Sequence, residues 1–115
     1  MRVIETKMNK AIRNRRNFSN ANTSVQTGSF FDSKGNYCEE SKVFLHGNHI
    51  ATYDHVNKEL TLFDGGWQTV TTKSRLNALC QEFATGCSVF QKNWNWFLSD
   101  FTGFRDFANG ITVNS

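Results

Sequence analysis

The chain has 115 residues, enough for one hydrophobic core and too few for two independent ones, and its 38% apolar and 14% aromatic content does not describe a disordered segment. It contains no run near the roughly 18 to 20 apolar residues of a membrane helix, and charges stand where a signal peptide has its apolar stretch, so a soluble protein is expected. Cys38, Cys80 and Cys87 form no Cys-x-x-Cys pair, which argues against a disulfide framework or zinc site and for reduced thiols in a cytosol. The net charge of +3 is unevenly placed, because six basic residues and one acid in residues 1–16 give +5 and leave −2 for the remainder. Eleven Phe predict a core of a few large side chains, and the absence of Pro leaves the turns to Gly, Asn and Asp.

Residues 2–16 lack Gly and Pro, with Ile4, Met8, Ala11 and Ile12 on one side of a helical wheel and Lys7, Lys10 and Arg13 on the other. This predicts a basic amphipathic helix or arm over 1–16, ahead of a single domain over 17–115. Asn17, Ser19, Asn20 and Asn22 stop the helix. Residues 23–31 read as a weak strand, Asp32 to Asn36 as a turn, and 37–41 as loop or edge. Residues 42–46 and 49–53 flank Gly47-Asn48 as a tight hairpin, and 59–63 supply a third adjacent antiparallel strand.

Gly65-Gly66 then turns the chain from sheet to helix. Thr71 or Thr72 is the expected N-cap. Leu76, Leu79 and Phe83 make an apolar stripe with Ala78 and Cys80 beside it, while Lys73, Arg75, Asn77, Gln81 and Glu82 are expected to face outward. Thr85-Gly86 ends this helix. Residues 88–91 and 94–98 predict a second hairpin around Lys92-Asn93, with Trp94, Trp96 and Leu98 on its inner face and Phe97 on the other. Residues 101–107 read as irregular and 110–113 as a short closing edge strand. The order predicts an α+β fold: one domain, an antiparallel sheet of about five strands, one central helix packed on a face, and the N-terminal helix.

Three spaced segments carry a resemblance. His46-Gly47-Asn48-His49-Ile50-Ala51 is followed by Gly66-Trp67-Gln68-Thr69-Val70-Thr71-Thr72 with Arg75-Leu76-Asn77 and Leu79, then by Val89-Phe90-Gln91-Lys92-Asn93 and Trp96. With Asn17-Phe18 and Asn22-Thr23, these segments resemble a family of short proteins of tailed bacteriophages. The resemblance implies phage origin and a host bacterial cytoplasm, and it brings no activity, cofactor or catalytic residue with it. The basic N-terminal stretch and the insert around Asp32 to Glu40 depart from shorter members of that family.

The candidate chemistry is sparse. His46, His49, His55 and Asp54 are suitable ligand types, but their spacing around a hairpin is a weak metal signature, so no metal is expected. Cys87 follows a glycine without a marked base, Cys80 lies on the apolar helix side, and Gly65-Gly66 lacks the Lys-Ser/Thr of a phosphate loop. The sequence therefore predicts no catalytic residue, no cofactor and no enzyme activity. Lys7, Lys10, Arg13, Arg15 and Arg16 could neutralise phosphates of DNA or RNA. Trp67 is the expected exposed anchor for another protein, and Lys73 and Arg75 could assist an anionic ligand at the helix start. The leading expectation is a non-catalytic phage accessory protein that binds a host or phage macromolecule and inhibits a host process by occupancy. The alternatives are nucleic-acid binding through the basic arm and a minor virion component. No membrane partner is expected, and exposed strand edges would accommodate a homodimer.

Overall fold

The computed structural model describes residues 1–114. The chain runs α1 (Val3–Arg13), β1 (Phe18–Asn20), β2 (Thr23–Phe31), β3 (Tyr37–Leu45), β4 (Asn48–Asp54) and β5 (Glu59–Leu62), then α2 (Val70–Phe83), β6 (Ser88–Lys92), β7 (Asn95–Asp100), β8 (Gly103–Asp106) and β9 (Ile111–Val113). The α+β class and the two helices are as expected, but the sheet is larger and divided. Six strands form one sheet in the order β1-β2-β3-β4-β5-β9, and β6-β7-β8 form a second. Every pairing is antiparallel. Neither helix is long and apolar enough to cross a membrane.

The central helix α2 sits between the sheets, against β4 and β5 on one side and β6 on the other, while α1 packs on α2 and β2. Two-residue alternation places Ser41, Val43 and Leu45 of β3 and Leu60 and Leu62 of β5 inward. The register slips between Val43 and Phe44, so β4 carries one extra residue at that point and both Ile50 and Ala51 are buried. From the helices come Met8, Ile12, Leu76 and Leu79, all fully buried. The expected aromatic core is therefore not what forms. Trp96 is the one buried aromatic among the described residues, and seven of the sixteen aromatics are exposed.

Both expected hairpins form, each with its turn moved by one residue. The first turn is His46-Gly47 and the second Asn93-Trp94, with positive φ at both central residues, as a two-residue connection between twisted strands requires. Residues 37–41 are strand rather than loop or edge, and 103–106 are strand rather than irregular. The N-cap of α2 is Thr69, not Thr71 or Thr72. Its hydroxyl accepts the Thr72 amide at 3.1 Å.

Arg75 and Asn77 are the other corrections on α2. Asn77 donates to the Val89 carbonyl at 2.9 Å and accepts the Val89 amide at 2.7 Å, which ties the helix to β6. Arg75 is only 3% exposed, and its Nη1 meets Glu5 Oε2 at 2.7 Å while Glu5 is 2% exposed. Arg75 Nε also donates to Thr23 Oγ1 at 3.0 Å and Nη2 to Asn22 Oδ1 at 3.2 Å. Glu5 in turn accepts from Ser74 Oγ at 2.6 Å and from the Arg2 amide at 3.1 Å, which caps α1.

Burial pushes the Glu5 carboxyl up, but the hydrogen bonds from Ser74, Arg75 and the Arg2 amide outweigh it and hold the group below its ordinary value of 4.5. A lowered folded value gives stability that is fully present above the unfolded pKa and is lost as pH falls through the folded one. Arg75→Met and Glu5→Gln should each lower the unfolding free energy by about 3–5 kcal/mol by stranding a buried partner. Urea unfolding from neutral pH down through the acid side of 4.5 should show a steeper loss in the wild type than in Glu5→Gln.

Candidate functional site

The Asp64–Gly65–Gly66 corner is built by backbone capture. Asp64 Oδ1 accepts the Gly66 amide at 2.8 Å, and the Asp64 amide donates to Asn109 Oδ1 at 2.8 Å. Gly65 has φ +70, and a Cβ there would come 3.0 Å from Ile50 Cγ2, so any side chain would be strained in its backbone and would press on β4. The result is a cleft of about 410 Å³ floored by Leu45 and Ile50 and rimmed by His46, Asn48, Asp64, Thr69, Thr71 and Trp67. Trp67 is 68% exposed there, as expected for an anchor.

A second tryptophan stands at the same end of α2. Trp94 is not the inward strand residue the sequence predicted. It occupies the β6–β7 turn at φ +68 and is 89% exposed. Lys73, Gln91, Lys92 and Asn93 border one depression with it, and Gln68 borders another with Asn95, Trp96, Asp106 and Phe107. The Trp96 indole N–H is buried without an acceptor among the described residues. The outer face of the second sheet leads away from this turn. It carries Phe90 stacked on Phe97 at 5.4 Å between ring centroids, and Phe104 edge-on to both at 5.7 Å.

The expected site residues separate into three groups. Trp67 and Lys73 lie at the α2 start. Lys7, Lys10, Arg13, Arg15 and Arg16 are all exposed, but Arg13 pairs with Glu82 at 3.0 Å and Arg15 with Glu39 at 2.7 Å. Arg75 is corrected, since it is consumed by Glu5 inside the molecule and cannot reach a partner. Trp94 and Lys92 were missed. The signal was Asn93, whose tolerance of positive φ puts the following residue at a turn tip.

The remaining reactive groups are occupied or depressed in reactivity. His49 Nε2 lies 2.7 Å from Thr52 Oγ1 and His55 Nε2 2.8 Å from Ser41 Oγ. Among the described residues no three His, Cys, Asp or Glu side chains come together as a metal-holding group. Burial pushes the Cys80 thiol up to about 12, and it also raises Cys87 and Cys38, away from the thiolate a nucleophile needs.

The fold and this exposed end define a small two-helix, two-sheet α+β protein with an aromatic and basic surface at the start of its central helix. The chain belongs to the Kyanoviridae Gp96 protein family, which matches residues 1–114, and it is a phage protein. No curated protein and no solved structure matches it.

A left-handed conformation costs a bulky residue roughly 1–2 kcal/mol, and glycine at the same position loses about 0.5–1 kcal/mol in chain entropy. Trp94→Gly should therefore leave stability within about 1 kcal/mol of the wild type, on the favourable side. Trp96→Ala should lower it by about 3–5 kcal/mol, since that indole is packed in the core. Thermal unfolding of both variants checks the contrast.

Proposed function

We propose that this protein is a non-catalytic phage accessory protein that binds a second protein of host or phage through the end of α2, acting by occupancy in the host bacterial cytoplasm. Trp94 carries the proposal. Its backbone is strained and its indole is in solvent, so neither packing nor turn chemistry accounts for a tryptophan there. Tryptophan is also the residue type most enriched at binding hot spots. Trp67 supplies a second anchor beside a cleft with an apolar floor, ready for one apolar side chain of the partner. Lys73 and Lys92 favour an acidic rim on that partner. The raised thiols support a non-catalytic reading, and inhibition of a host process follows if the bound surface is one the host uses.

A second reading rests on Lys7, Lys10 and Arg16, which form no ion pair among the described residues and remain available to phosphates. A minor virion component is a third. The tagged protein should be recovered from its host with and without nuclease, beside Trp67→Ala, Trp94→Gly and a Lys7→Glu/Lys10→Glu variant. A protein retained after nuclease, lost in both tryptophan variants and kept in the lysine variant is the expected result. Recovery that collapses with nuclease, rising salt and the lysine change would replace it with nucleic-acid binding. Finding the protein in washed particles would assign it to the virion.

A further inference from the structure

Beyond its short contact with β1, strand β2 presents a bare edge. β1 pairs only with Thr23, Ser24 and Val25, while β2 runs on to Phe31. The direction of each peptide group is fixed by its neighbours. The Asn22 carbonyl accepts from His46 and the Asp32 amide donates to Asn36, so the even-numbered residues of β2 bond toward β3. The odd-numbered Thr27, Ser29 and Phe31 point the other way. The Thr27 amide confirms this by donating to the Asn17 side chain at 2.9 Å. Past that capped amide, the Thr27 carbonyl and both backbone groups of Ser29 and Phe31 face outward without a strand.

Natural sheet edges of this kind are blunted by Lys, Pro, a bulge or a covering loop. None of these is present. Residues 17–31 contain no charged residue and no proline, β2 pairs with β3 without a bulge, and Gly28, Ser29, Phe30 and Phe31 are all exposed. Phe31 meets Tyr37 edge-on across the hairpin, at 5.9 Å between ring centroids, and is 72% exposed.

We propose that this edge pairs with the same edge of a second copy, antiparallel across a two-fold axis at Ser29. In such a pairing Ser29 lies opposite Ser29 of the second copy, and any charged residue near the axis would meet its own like charge. The charge-free run suits self-pairing for that reason. The two serines exchange both backbone hydrogen bonds, and each Phe31 amide donates to the Thr27 carbonyl of the other copy. The reciprocal Thr27 amide stays with Asn17, which ends the shared ladder.

The purified full chain should be measured by light scattering over a concentration series, with circular dichroism to verify folding. The wild type should shift from 13.2 kDa to twice that mass as concentration rises. Ser29→Lys sets two ammonium groups together at the axis, and Ser29→Pro deletes an outward amide without touching the β2–β3 ladder. Both should remain monomeric, while Trp94→Gly should dimerise like the wild type and so separates this contact from the proposed partner site. In a Cys38→Ser/Cys87→Ser background, Ser29→Cys should cross-link under mild oxidation, since Cα atoms of a hydrogen-bonded antiparallel pair lie about 5.5 Å apart, within disulfide range. A wild type that stays at 13.2 kDa at every concentration, or a dimer that persists in both Ser29→Lys and Ser29→Pro, overturns the proposal. Failure of Ser29→Cys to cross-link overturns the axis at Ser29.

Discussion

The ion pair between Glu5 and Arg75 is the contact on which the rest of the molecule depends. A carboxylate and a guanidinium closed off from water are expensive to desolvate, and they are tolerated only if every oxygen and N–H finds a partner. The partners come from separate parts of the chain: the first turn of α1, the turn before β2, β2 itself, and α2. None of these elements can shift alone without stranding a charge. The pair thus sets how α1 lies on α2, and with it which side of the basic helix reaches solvent.

That constraint redistributes the charge asymmetry of the sequence. The N-terminal sixteen residues look like a free basic arm when counted. In the fold Met8 and Ile12 are inside the core, Glu5 is committed to Arg75, and Arg13 and Arg15 lie against acids of the body. Exposed pairs of this kind contribute only about 0–1 kcal/mol each, but they do lower the positive field that a polyanion would meet. Lys7, Lys10 and Arg16 are what remains, a smaller cationic surface than composition suggests.

Where hydrophobic period decided the structure, the sequence was legible. Met8, Ala11 and Ile12, the Leu76–Leu79 stripe and the strands around residue 60 all bury as their spacing requires. The errors fall where a local rule has near-equal alternatives or a distant partner decides. Gly47-Asn48 and Lys92-Asn93 are acceptable turn pairs, but the chain uses the pair one residue before the first and one residue after the second. The second slip took Trp94 out of the strand and into the turn, where it is exposed, while Trp96 and Leu98 keep the inner face. Arg75 reads as an outward helix residue because its partner stands seventy positions earlier in the chain. Strand β8 is exposed along its whole length, so it has no burial pattern for a reader to find. Of the candidate site, Trp67 and Lys73 were legible and the Trp94 turn was not.

The large aromatic side chains divide between the interior and two places on the surface. Leu, Ile, Val and Met fill the core, with Trp96 the one buried aromatic among the described residues, so Trp67, Trp94 and Phe31 are no part of it. Large exposed side chains scattered singly need no explanation, but these stand in particular places. Trp94 is on a strained turn beside Lys73 and Lys92, whereas Phe31 flanks an unpaired backbone edge in a run without charge. The first arrangement offers side chains and suits a partner with a complementary surface. The second offers peptide groups and suits another strand. An interior fixed by a buried ion pair and an aliphatic core leaves both surfaces free to serve association.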